Sequence, residues 1–137
     1  MNDVLNVFGE KITILISSKE TNERFCKCLV KTPVGYEAPS HKHIDSYDSV
    51  YVIQGKFRFT INGKSQILNA GESICIPLGI PHNYKNIGSK EGITICVHSP
   101  GGMDIFFETI GLEHLKPQND LARIEQLAKQ FKIQLVK

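Results

Sequence analysis

Residues 35–55 read GYEAPSHKHIDSYDSVYVIQG, and residues 71–86 read GESICIPLGIPHNYKN. Side chains alternate faces along a β-strand, so His41 and His43 point the same way with Cα atoms roughly 6 to 7 Å apart. Two neutral imidazoles can then converge on one cation. A third, His82, follows 39 residues after His43. The glycines and prolines around these histidines make turns, and turns are what bring residues distant in sequence to one place.

Outward from this core, residues 7–98 are short apolar runs punctuated by Gly, Pro and Asn, the rhythm of an all-β sandwich or barrel. The spacing predicts strands over 11–17, 23–32, 49–54, 56–61, 64–68, 73–76, 82–86 and 92–98. Eight strands suit a closed barrel or jelly roll. Asn62-Gly63, between Phe57, Phe59, Ile61 and Ser65, Ile67, is a hairpin signal that makes its two strands antiparallel neighbours. After Ser99-Pro100-Gly101-Gly102 the pattern changes to a short helix over 103–110. Leu121, Ile124, Leu127, Ala128 and Phe131 then recur at helical spacing, with Asn119 or Asp120 as N-cap, giving a C-terminal helix over about 119–131 that packs on the barrel.

The chain has 137 residues, enough for one core and too few for two comfortable domains, so residues 1–137 are expected to form a single domain. A net charge of +2 with mixed signs offers no basic stripe, which argues against nucleic acid as a partner. No run approaches 18 consecutive apolar residues, and the start lacks the pattern of a secretory signal, so a soluble, cytoplasmic protein without membrane contact is expected. Cys26, Cys28, Cys75 and Cys96 are read as reduced thiols in or near the core, since Cys26 and Cys28 share a strand face and the other two sit in apolar runs.

The two quoted blocks closely resemble the paired motifs of the cupin superfamily. Its pattern is Gly, five residues, His-x-His, three or four residues, Glu, six residues, Gly, followed by Gly, five residues, Pro-x-Gly, two residues, His, three residues, Asn. Gly35, His41, His43, Gly55, Gly71, Pro77, Gly79, His82 and Asn86 all fit, and Asp48 stands where Glu is usual. The resemblance implies a cupin barrel, that is a double-stranded β-helix or jelly roll, with an N-terminal strand pair and a short C-terminal helical extension. It also implies one divalent transition metal (Fe, Mn, Ni, Zn or Cu) held by His41, His43, Asp48 and His82. Imidazole suits those ions, and a carboxylate offsets their charge. Asp48 lies five positions after His43, so a regular strand would put them on opposite faces, and Ile44 to Tyr47 must turn or bulge. Asp45 is a weak rival ligand. Aspartate is also shorter than glutamate by one bond, roughly 1.5 Å.

Features at the ends, from Gly9 to Thr13 and from Ser99 through Phe106-Phe107-Glu108, look like small quercetinase-like cupins. That likeness implies a metal-dependent dioxygenase acting on a small phenolic or enolic molecule. Its alternatives are a non-catalytic small-molecule binding or sensing module and a metal-dependent isomerase or lyase. Tyr51, Phe59, Tyr84, Phe106 and Phe107 are candidates to line the pocket, and His98, at a strand end, is a candidate catalytic acid or base. Homodimerisation is expected by the same resemblance. His114, Glu37 and Lys42 are read as solvent-facing.

Overall fold

A computed structural model describes residues 3–136. Its elements are β1 (Val4–Val7), β2 (Glu10–Ile16), β3 (Cys26–Thr32), β4 (His41–His43), β5 (Tyr47–Gln54), β6 (Lys56–Ile61), β7 (Lys64–Asn69), β8 (Ser73–Ile76), β9 (His82–Asn86), β10 (Gly92–Ser99), α1 (Met103–Leu112), α2 (Pro117–Gln130) and β11 (Ile133–Leu135). Two antiparallel sheets form the barrel, one ordered β1-β2-β3-β10-β5-β8 and the other β11-β4-β9-β6-β7. The β6–β7 hairpin turns through Asn62 and Gly63, both at positive φ (51° and 80°), the backbone of a type I′ turn. None of the helices is long and apolar enough to cross a membrane among the described residues.

Alternation along the strands builds the interior. On β5 it runs outward and inward by turns, so Asp48, Val50 and Val52 are buried while Tyr47, Ser49 and Tyr51 face out. One apolar cluster (Val50, Val52, Phe57, Phe59, Leu68, Ile76) fills the space between the sheets. A second joins β1, β2 and β3 to the helices through Leu5, Val7, Ile12, Val30, Phe106, Ile110, Ile124 and Leu127. Cys96 packs against both. The helices therefore pack against β1, β2 and β3, and they share the lining of one cavity with His41 and His43.

Several motif residues hold the backbone. Gly79 has φ +74° and its N–H donates to the His43 carbonyl at 2.7 Å, which ties the loop before β9 to the strand that carries two imidazoles. The Asn86 side chain donates to the Thr32 and Lys90 carbonyls and accepts from the Gly88 N–H, all within 3.1 Å.

Some elements differ from the sequence expectation. The N-terminal pair begins with β1, and β11 was absent from the expected strands. The C-terminal helix starts at Pro117, with non-helical backbone at Asp120, whose carboxylate accepts the Lys116 N–H at 2.9 Å. Leu121, just past that break, is exposed, whereas Ile124, Leu127 and Ala128 are buried as the stripe requires. Cys75 is exposed and not in the core, because on the edge strand β8 it is Ile76 that points inward. Cys26 and Cys28 are buried free thiols.

Candidate metal centre

His41 and His43 on β4 and His82 on β9 come from the five-stranded sheet, with His41 directly opposite His82 in the ladder. Asp48 and His98 come from the other sheet and are themselves opposite one another on β5 and β10. The bend over residues 44–46 carries the chain from one sheet to the other between His43 and Asp48. That crossing explains how an odd spacing serves a common interior. Asp45 lies outside the cluster, paired at the surface with Lys132 at 2.9 Å.

His41, His43 and His82 each present a donor nitrogen within 4.8 Å of the others, and His43, Asp48 and His98 form a second such group. Asp48 bridges them: Oδ2 is 3.9 Å from His82 Nε2 and Oδ1 is 3.4 Å from His98 Nε2. The ring tautomers of two histidines follow from their neighbours. His41 Nδ1 lies 3.0 Å from the Pro39 carbonyl and His82 Nδ1 lies 2.9 Å from the Ile80 carbonyl. A carbonyl only accepts, so each Nδ1 carries the hydrogen and each Nε2 keeps its lone pair.

Burial, then the neighbouring His82, lowers the pKa of His41 to about 4. Burial, then His98, lowers that of His43 to about 3. Both rings are therefore neutral and ligand-competent at neutral pH. Burial alone would raise the Asp48 pKa, but the charge of His98 outweighs it and holds the carboxyl well below the usual range. Burial likewise opposes charge on His98, and Asp48 reverses this, lifting it to about 10. Asp48 Oδ1, His82 Nε2 and His98 Nδ1 are buried with no hydrogen-bond partner among the described residues. Buried polar atoms ordinarily have partners. His98, held charged by Asp48, carries hydrogen on both nitrogens and offers no lone pair, whereas His82 Nε2 and Asp48 Oδ1 are bare; with the neutral rings of His41 and His43 beside them, they fit a divalent transition ion.

Beside the cluster is a cavity of about 150 Å³ lined by Glu10, Tyr36, His41, His43, Asp48, Tyr84, Cys96, His98 and, from the helices, Met103, Phe106 and Phe107. Of the expected lining residues, Tyr84, Phe106 and Phe107 reach it. Tyr51 does not: it is three residues from Asp48, hence on the opposite face, and is 46% exposed. Phe59 does not either, since it is sealed in the cluster between the sheets, behind Tyr84. Glu10 and Tyr36 went unread in the sequence, although the alternation Glu10, Ile12, Ile14 along β2 was a signal for an inward carboxylate. His114 is exposed, as read.

A two-sheet antiparallel barrel that turns imidazoles and a carboxylate into its own interior defines the class of small jelly-roll barrels. A family model described as a cupin domain matches residues 28–98, slightly over half of the chain. The chain belongs to the cupin family. Quercetin 2,3-dioxygenase of Bacillus subtilis is 30% identical over 80 residues, which are 58% of this chain and 24% of that protein. The chain thus matches about a quarter of that relative's length. KdgF from Halomonas sp. superposes with a TM-score of 0.68 at 22% identity, over 75% of this chain and 90% of that one. An RmlC-like cupin from Shewanella frigidimarina does so with a TM-score of 0.67 at 23% identity, over 77% and 89%. At these identities the structural likeness is one of fold.

Proposed function

We propose that the chain holds one divalent transition metal through His41, His43, His82 and Asp48 and is a dioxygenase-like enzyme for a small phenolic or enolic molecule. The observation that carries this reading is the convergence of the His41, His43 and His82 nitrogens and the Asp48 carboxylate beside a cavity, with His82 Nε2 and Asp48 Oδ1 buried and without a partner among the described residues. The relative named for quercetin supports an oxidative chemistry. Quercetin itself is not the proposed substrate: a cavity of about 150 Å³ is well below the roughly 300 Å³ at which pockets for drug-sized ligands begin. A single ring fits that scale better.

A redox-active ion held by His41, His43, His82 and Asp48 would supply the electron exchange between substrate and dioxygen. The chain's own residues do the rest. The Pro39 and Ile80 carbonyls fix two imidazoles with Nε2 inward, and Asp48 balances charge. His98, 3.4 Å from Asp48, is a positioning residue for that carboxylate. Met103, Phe106 and Phe107 line the cavity with apolar surface.

Elemental analysis of the purified chain, followed by dioxygen uptake with phenolic and enolic substrates, tests the reading. One ion per chain and substrate-dependent uptake are expected. Substrate conversion without uptake points instead to an isomerase or lyase, and ligand binding without conversion to a binding module.

A further inference from the structure

Two buried carboxylates line the cavity, and the metal-centred reading uses only Asp48. The other, Glu10, is 7% exposed. Both of its oxygens lie 2.7 Å from the Tyr84 hydroxyl, and Oε2 also accepts from Thr32 Oγ1 at 2.7 Å. Tyr84 has one hydrogen to give, so its two contacts share a single donor and amount to one bond. One carboxylate oxygen therefore keeps spare accepting capacity. Among the described residues no Lys, Arg or His nitrogen comes within 4.0 Å of Glu10.

A buried carboxylate without a counter-charge is costly. Burial raises its pKa even against the bonds from Tyr84 and Thr32. Burial and then the charge of Glu10 raise the pKa of Tyr36 in the same wall. Aromatic rings of Phe8, Tyr36 and Tyr84 share the lining with it. Tyr84 is two residues from His82 along β9, so the carboxylate it steadies belongs to the same interior as the imidazoles, one step further along the strand. Core residues do not need such a group, but a ligand with a hydrogen-bond donor does.

We propose that Glu10, steadied by Tyr84 and Thr32, is a specificity-determining residue that selects ring-sized ligands carrying a hydroxyl or ammonium donor away from their metal-binding group. This rests on the metal-centred reading for the other end of the ligand.

The test is calorimetric titration of the full chain, with and without zinc. The probes are benzoate, the meta and para hydroxybenzoates, and the meta and para (aminomethyl)benzoates. Zinc and a carboxylate occupy the metal end without redox chemistry, and the hydroxyl and ammonium arms separate the two donor types. At least one donor-bearing probe should bind the wild type roughly 10-fold or more tighter than benzoate, the scale of one hydrogen bond to a charged acceptor. Glu10→Gln, which keeps the side-chain shape, should reduce that preference to about threefold or less. Donor-bearing probes that bind no tighter than benzoate in the wild type overturn the proposal, and so does a preference unchanged in Glu10→Gln. The zinc comparison reads the other end separately. If benzoate affinity ignores zinc while the donor preference persists, the metal reading fails and the role of Glu10 stands.

Discussion

Glu10→Gln should make the metal-free protein more stable at neutral pH, with the gain vanishing in acid. Glu10 is 7% exposed and receives three contacts of 2.7 Å, of which two can be hydrogen bonds at one time. Two bonds to a charged acceptor contribute roughly 3–6 kcal/mol. They work against a desolvation penalty of several kcal/mol for the ion. The raised pKa of Glu10 says that the penalty wins. Glutamine keeps an acceptor for these donors without the charge, so a net gain of about 1 kcal/mol is expected, or roughly 3–5 °C in Tm for a chain of this length.

The pH dependence has a fixed sign. Folded Glu10 binds its proton more tightly than the unfolded chain does, so the wild type keeps its full stability below the ordinary carboxyl value of 4.5. It loses stability as pH rises from there through the folded pKa. Glutamine does not titrate, so the two proteins should converge near pH 4 and separate toward pH 7. Urea denaturation in the presence of a chelator, from about pH 4 to about pH 8, measures this. A variant about 1 kcal/mol less stable than wild type at neutral pH, or a gap that does not change with pH, would show that burial does not dominate at Glu10.

Asp48→Asn preserves shape and removes the charge that faces His82 and His98; zinc affinity should fall about 10- to 100-fold, and unchanged affinity in calorimetry would show that Asp48 is no ligand. Ending the chain after Lys132 removes β11, which pairs with the whole of β4 from His41 to His43. Metal affinity should again weaken by about 10- to 100-fold, and a truncated chain that binds as well as the full one would show that β4 needs no such support. Cys75 alone should react quickly with a maleimide in the native state, with Cys26 and Cys28 protected until unfolding, and fast labelling of the latter pair would contradict the interior described here.

The barrel was legible where the physics is local. Asn62-Gly63 selects a type I′ hairpin because both positions need positive φ, and the structure has that turn. The two motif blocks carried the family because Gly35, Gly55, Gly71 and Gly79 stand at positive φ and the Asn86 side chain holds three backbone groups, needs that recur at fixed spacing. Tyr51 could have been placed by parity with Asp48, since odd separations on a strand change face. Phe59 and β11 could not: whether a buried ring reaches a cavity depends on the opposing sheet, and β11 is three residues whose partner lies about 90 positions upstream. The alternation along β2 turns Glu10 inward, but its significance comes from Tyr84, 74 residues away, and from the lack of any cation beside it among the described residues.

The proposed metal centre requires His41, His43 and His82 together. Metal titration of the wild type and of His41→Ala, His43→Ala, His82→Ala and the exposed control His114→Ala checks that requirement. The wild type and the control should bind one divalent transition ion per chain, and each of the other three should lose that affinity while remaining folded. A wild type that binds no such ion, or His82→Ala binding as tightly as His114→Ala, would contradict it.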